Sequence, residues 1–211
     1  MTPRHSKDEV RIAFVTALLA TSLHRKTFSD DAEKQMRLAE CETLLSHVLE
    51  VYTRVLGKDH LYTLKAFNNL AFNYVLQGKD DKAVPMFQDL LQKRRQLTGL
   101  GHIDTFICAQ NLGDLLIGSN RNEEARSIYL EFLPVAKRVL GEEHPKTLSM
   151  ITDYGRCLFY LTVTRSEVPK VLAMIEANLA VQERVLGRDD IDSRRTTSVL
   201  TQLSAKDICS I

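Results

Sequence analysis

Apolar side chains recur along the chain with the period of a helix and stop at regularly spaced glycines. From Tyr62 to Gln77, the residues Phe67, Leu70, Ala71 and Tyr74 fall at i, i+3, i+4 and i+7, which places them on one helical face. Gly78-Lys79-Asp80-Asp81 then reads as a turn, and Ala83, Phe87, Leu90 and Leu91 mark a second helix that returns to Gly99. The same plan recurs with Ala109, Leu112, Gly113 and Leu116, followed by Ala125, Tyr129 and Phe132. It recurs again with Ile151, Tyr154, Gly155 and Leu158. Upstream, Val10, Ile12, Ala13, Val15, Leu18 and Leu19 predict a helix from Asp8 to about Leu23. A partner helix is predicted to start near Ser29-Asp30-Asp31, whose short polar side chains suit a cap, and to end at Leu56 before a left-handed Gly57.

Superposing these segments gives a repeat of 42 residues: Gly57, Gly99 and Gly141; His60, His102 and His144; Thr63, Thr105 and Thr147. A recurrence that keeps chemical type at many offsets marks stacked copies of one αα-hairpin, so the fold class is all-α. The expected layout is a disordered stretch at 1–7 and a single array over 8–205. Its hairpins fall at about 8–57, 60–99, 102–141 and 144–187, followed by a C-terminal helix at about 192–205 and a tail at 206–211. That last helix, without a hairpin partner of its own, has the polar residues of an end cap and equally those of a longer array cut short. Gly187 lies 46 residues after Gly141, so about four extra residues fall between Thr162 and Lys170. Val171 there replaces the small Ala83 and Ala125, which predicts a shifted hairpin. Pro85 lies near a helix start, whereas Pro134 lies inside a helix and predicts a bend.

Composition narrows the function classes. Lysine and arginine total 28 against 27 acidic residues, so no global field attracts nucleic acid or an anionic membrane. No apolar run reaches membrane-spanning length. The apolar run Ile12 to Ala20 reads as an amphipathic first helix, because Asp8 and Glu9 break the basic flank that a signal peptide needs. Cys41, Cys108, Cys157 and Cys209 show no paired spacing, and the first three stand at repeat positions shared with alanine or leucine. Buried thiols in a reducing, cytoplasmic setting are expected.

Candidate chemistry is sparse. His60, His102 and His144 sit one repeat apart and so do not converge on an ion; they read as loop residues. The pairs Asp80-Asp81, Glu123-Glu124, Glu142-Glu143 and Asp189-Asp190 sit at turns or helix starts, where they complement the helix dipole. Lys93-Arg94-Arg95 has acidic neighbours and reads as a solvated face. With no phosphate loop, HExxH or nucleophile elbow, the chain is expected to have no catalytic residues, no metal, no cofactor and no enzymatic activity.

At Leu140-Gly141-Glu142-Glu143-His144-Pro145-Lys146-Thr147-Leu148, and at Thr63-Leu64 with Asn68-Asn69-Leu70-Ala71 and Gly78-Lys79, the sequence resembles tetratricopeptide repeats of the kinesin light chain type. The resemblance implies a superhelix of helix pairs whose first helices line a concave groove. It carries the groove positions onto Lys65, Asn68, Asn69, Phe72, Gln110, Asn111, Asp114, Thr152, Arg156 and Phe159. Carboxamides at Asn68, Asn69, Gln110 and Asn111 can donate to and accept from an extended peptide, and Phe72 and Phe159 can supply apolar pockets. The alternative for these amides is to tie neighbouring helices together. Asp153 replaces asparagine at the position of Asn69 and Asn111, and Lys65, Asp114 and Arg156 give mixed signs, which argues against a dedicated carboxylate clamp. The implied function is a non-catalytic scaffold that binds a protein or peptide partner, with self-association through exposed solenoid ends left open. The alternative is a regulatory portion of a larger signalling protein.

Overall fold

The structure is a computed structural model that describes residues 3–23, 30–161 and 167–209. The described residues form helices joined by short loops, without strands. They group into two compact units, Met1–Leu97 and Thr98–Ile211. The first unit holds α1 (Pro3–Leu23), α2 (Asp31–Leu56), α3 (Leu61–Leu76) and α4 (Asp80–Leu97). The second holds α5 (Ile103–Gly118), α6 (Asn122–Leu140), α7 (Pro145–Leu161), α8 (Val168–Val185) and α9 (Ile191–Cys209). α1 begins at Pro3, inside the stretch expected to be disordered, and α9 runs on to Cys209. Most of the insertion expected between Thr162 and Lys170 lies outside the described residues.

The repeated loop explains why its residues recur. Gly57, Gly99, Gly141 and Gly187 all have positive φ, from 79 to 101°. At Gly57 and Gly141 ψ is 158° and 157°, beyond the left-handed helical well and in a region open essentially to glycine alone. The loop then turns back on itself. Thr63 Oγ1 donates to the Gly57 carbonyl at 2.7 Å, and Thr105 Oγ1 donates to that of Gly99 at 3.0 Å. The histidines cap the next helix. Nδ1 of His60, His102 and His144 accepts from the backbone N–H of Tyr62, Asp104 and Lys146 at 3.1–3.2 Å. In the last loop Asp190 takes the role, its Oδ1 accepting from Asp192 N–H at 2.9 Å. Each supplies an acceptor to a helix-end amide that has no partner within its helix.

Within each unit, consecutive helices pack in order along the chain. In the first unit, Ala13 of α1 joins Val48, Val51 and Tyr52 of α2 and Ala66 of α3 in one apolar cluster. Cys41 and Leu45 of α2 meet Leu70 of α3 in another. Ala83, Phe87 and Leu90 of α4 are fully buried. In the second unit, α5 also packs on α7 and α7 on α9, so first helices stack on first helices. Phe106 and Phe132 meet edge to face at 6.1 Å. α6 continues as a helix through Pro134. Val171 and Ile175 of α8 close on Val199 and Leu203 of α9, so the last helix is packed against α8 as well as α7. Each such buried aliphatic chain contributes roughly 1.5–3 kcal/mol.

Two glycines let helices come close. A Cβ on Gly113 would lie 2.4 Å from the Tyr129 hydroxyl oxygen, and one on Gly155 would lie 2.5 Å from Cγ1 of Ile175. Ala71 and Phe87 hold the positions of Gly113 and Tyr129 one repeat earlier. The larger tyrosine of α6 thus goes with the smaller residue on α5. The turn after α5 keeps the backbone conformation of the turn after α3 although its residues differ. Gly78, at φ 70°, is replaced by Asn120, at φ 60°. In both turns the amide after this residue bonds a carbonyl five positions back, Lys79 to Tyr74 and Arg121 to Leu116. This is a Schellman ending, in which asparagine is the usual substitute for glycine.

Candidate functional site

The first helices carry the polar positions that matter, and the two units treat them differently. On α3, Lys65 and Phe72 are exposed while Asn68 and Asn69 are half-buried on the same side. Among the described residues, neither asparagine makes a side-chain hydrogen bond. The amides that tie helices in this unit are instead Asn73, fully buried, whose Nδ2 donates to the Leu38 carbonyl at 3.0 Å, and Gln77, whose Nε2 donates to the same carbonyl at 3.3 Å. Cys157 in α7 stands two repeats after Asn73, and its Sγ donates to the Asn122 carbonyl at 3.0 Å. Burial pushes that thiol up to about 11, so it is an inert donor at neutral pH. Cys41 and Cys108 are likewise buried thiols, outside any disulfide.

In the second unit several of the corresponding positions are hydrogen-bonded across helices. Gln110 of α5 is 6% exposed and uses both ends of its amide. Its Nε2 donates to Ser149 Oγ at 2.6 Å and Asp153 Oδ2 at 2.7 Å, and its Oε1 accepts from Lys146 Nζ at 2.8 Å. Asp153 is fully buried and accepts from Arg195 Nη2 of α9 at 2.7 Å. The same Nη2 donates to Asp114 Oδ2 at 3.0 Å, and Arg156 Nη2 donates to Asp114 Oδ1 at 2.5 Å. Thr152, 1% exposed, shares a hydroxyl hydrogen bond with Thr196 at 2.9 Å and accepts from Asn178 Nδ2 at 2.9 Å. Gln110 and Thr152 therefore tie helices together, and Asn111, Asp114, Arg156 and Phe159 keep partial exposure. Phe159 packs against the α8–α9 apolar cluster and meets Tyr160 edge to face at 6.0 Å.

The charges in this network are tuned by burial. Asp153 is raised to about 7, first by loss of solvent and then by the charge of Asp114, against the pull of Arg195 and Arg156. Lys146 is lowered by burial, partly offset by Asp192 and Asp153. Tyr129 is raised well above its usual value by burial and by the two nearby carboxylates. A recess of about 350 Å³ adjoins the network, lined by Asp114, Ile117, Asn120, Arg156, Tyr160 and Gln202. Arg195 and Lys146 were not among the expected site residues. The signal for Arg195 was its position, one repeat of 46 residues after Ser149, on the first-helix face. Among the described residues no group of three or more metal-ligating side chains is gathered, and no helix is long and apolar enough to cross a membrane.

Stacked αα-hairpins with a glycine-histidine loop and a polar first-helix face define a helical-repeat protein. Two family models described as tetratricopeptide repeat match residues 18–96 and 105–146, together more than half of the chain. The chain belongs to the tetratricopeptide-repeat family. Its fold is similar to a crystal structure of nearly identical TPR-like repeats, designated a kinesin light chain of Podosopora anserina. The TM-score is 0.69 at 16% identity, over 92% of this chain and 86% of that one. It is also similar to BtubC (BKLC) from P. vanneervenii, with a TM-score of 0.61 at 17% identity, over 98% and 86% of the two chains. In sequence, 134 residues are 21% identical to a clustered mitochondria protein homolog of Lodderomyces elongisporus. That match covers 64% of this chain, and the chain spans about a tenth of that relative's length.

Proposed function

We propose that this protein is a non-catalytic interaction scaffold that binds a peptide segment of a protein partner on the faces of its first helices. The observation that carries the reading is the state of α3. The side chains of Asn68 and Asn69 have no hydrogen bond among the described residues, and Lys65 and Phe72 flank them on the exposed side. Carboxamides in that state suit the unpaired amides and carbonyls of an extended peptide, and Phe72 suits an apolar side chain. In the second unit, Asn111, Asp114, Arg156 and Phe159 present the equivalent face, with Gln110 and Thr152 holding their helices in place. Asp114 and Arg156 neutralise each other, so this part selects for hydrogen-bonding side chains over a bare carboxylate.

The test starts from a random-peptide display library panned on the whole chain. A selected peptide should lose at least tenfold in affinity for a chain carrying Asn68→Ala and Phe72→Ala whose melting temperature is unchanged. It should also lose affinity when its own backbone amides are N-methylated, which removes the donors that the asparagines accept. Selected peptides that bind the double variant as well as the original would remove α3 from the site.

A second reading is that these repeats are the regulatory portion of a larger signalling protein, favoured by the small share of the curated relative that the chain spans. An antibody against these repeats should then detect a species well above 24.0 kDa in the source cells. A single species at that mass would exclude it.

A further inference from the structure

The recess of about 350 Å³ in the second unit has a cause in the repeat register. Asp114 of α5, Arg156 of α7 and Gln202 of α9 stand at one repeat position, 42 and 46 residues apart, and all three line the recess. Stacking of α5 on α7 and of α7 on α9 brings them side by side. One helical turn after Asp114, Gly118 stands where α7 carries Tyr160. A Cβ on Gly118 would meet nothing within 4 Å, so the recess occupies the room of a side chain that α5 lacks.

The polar lining sorts what fits there. Asp114 supplies an acceptor. Each of its oxygens takes one guanidinium hydrogen bond, from Arg156 and from Arg195, and 34% of the side chain stays exposed. A carboxylate offers about four acceptor sites, so capacity remains. Arg156 supplies a donor, because Nη2 is spent on Asp114 while Nη1 makes no hydrogen bond among the described residues. Arg195, bonded to Asp114 and to the buried Asp153, holds the acceptor in place. One held anion beside one cation disfavours a charged occupant of either sign. A carboxylate would be repelled by Asp114, and an ammonium or guanidinium by Arg156. A primary carboxamide suits both, since its NH2 donates and its carbonyl accepts. The geometry points to a subsite for a glutamine or asparagine side chain of the peptide partner, its NH2 donating to Asp114 and its carbonyl accepting from Arg156. This assignment rests on the peptide reading above and names a residue that the peptide carries.

Gly118→Tyr tests it without touching either charge, because it puts into the recess the ring that the next repeat carries; Gly118→Leu serves if that chain does not fold. Random display peptides that bind the original chain and fail on the Gly118→Tyr chain should share a glutamine or asparagine at one position. Replacing that residue by glutamate or by methionine in a synthetic peptide should weaken binding at least tenfold. On the Asp114→Asn chain, where the anion is gone, the glutamate peptide should bind at least as tightly as the amide peptide. A shared acidic or basic residue in place of the amide would overturn the inference. So would equal binding of the three peptides to the original chain, or a glutamate peptide that stays tenfold weaker on the Asp114→Asn chain. Peptides that bind the Gly118→Tyr chain undiminished but fail on the chain carrying Asn68→Ala and Phe72→Ala would overturn it and leave the peptide reading standing. If no peptide binds the original chain, the peptide reading falls and this assignment falls with it.

Discussion

Asp153 stands at the position of Asn69 and Asn111, and exchanging an amide for an acid there couples folding to pH. Its carboxyl is raised from 3.8 to about 7 by burial and by Asp114, with Arg195 and Arg156 pulling the other way and Tyr129 and Lys146 nearby. A carboxyl with a raised folded-state pKa favours folding most when protonated. That contribution is fully present below about pH 4 and is lost as pH rises through about 7. Between those limits the Asp153 contribution should fall by up to a few kcal/mol. Denaturant titrations from pH 4 to pH 8 should show this slope, and Asp153→Asn should flatten it whatever it does to stability at one pH. An unchanged slope in the variant would place the titration elsewhere. The histidine loop was legible because three copies keep the same residue, whereas Arg195 occurs once and reads as a polar cap residue until its carboxylate partners are seen.

Pairs of helices are matched by volume at single contacts. Tyr129 fills the space above Gly113 so completely that a Cβ there would lie 2.4 Å from the hydroxyl oxygen and 2.6 Å from Cζ. Both residues are buried, so neither can swing into solvent. Gly113→Ala should therefore destabilise by about 1–3 kcal/mol even though alanine is the better helix former. Tyr129→Leu in the same chain should restore part of the loss, giving a coupling free energy in a double-mutant cycle measured by chemical unfolding. Additive effects would show that α5 and α6 relax apart without cost. The seam positions themselves were readable from their spacing. The pairing of a large residue with a glycine across two helices was not, because periodicity reports which residues face inward and says nothing of what each one meets. Asn120 illustrates the same limit at a turn, where its identity as the substitute for Gly78 emerges from its φ of 60°.

For the whole molecule, the 42-residue period made the repeat class legible, since each hairpin must cover its neighbour's apolar face and so repeats the same side chains. The last helix was harder to read because α9 breaks the pattern. It has no second helix to follow it among the described residues, yet it buries Val199 and Leu203 against Val171 and Ile175 and sends Arg195 to Asp114 and Asp153. Its role in covering α7 and α8 follows from those contacts, and the repeat architecture predicts how far the effect of losing it should travel. In a linear array each helix pair is stabilised mainly by its immediate neighbours. A chain ending at Gly187 would expose the α8 side of that cluster and leave the buried Asp153 without Arg195. Hydrogen exchange should then show α7 and α8 losing protection by more than tenfold, while α2 to α4 keep theirs. Equal loss along the entire chain would mean that the repeats unfold as one cooperative body. Unchanged exchange in α7 and α8 would mean that α9 contributes little, and the carboxylate network would then be held by Gln110 and Arg156 alone.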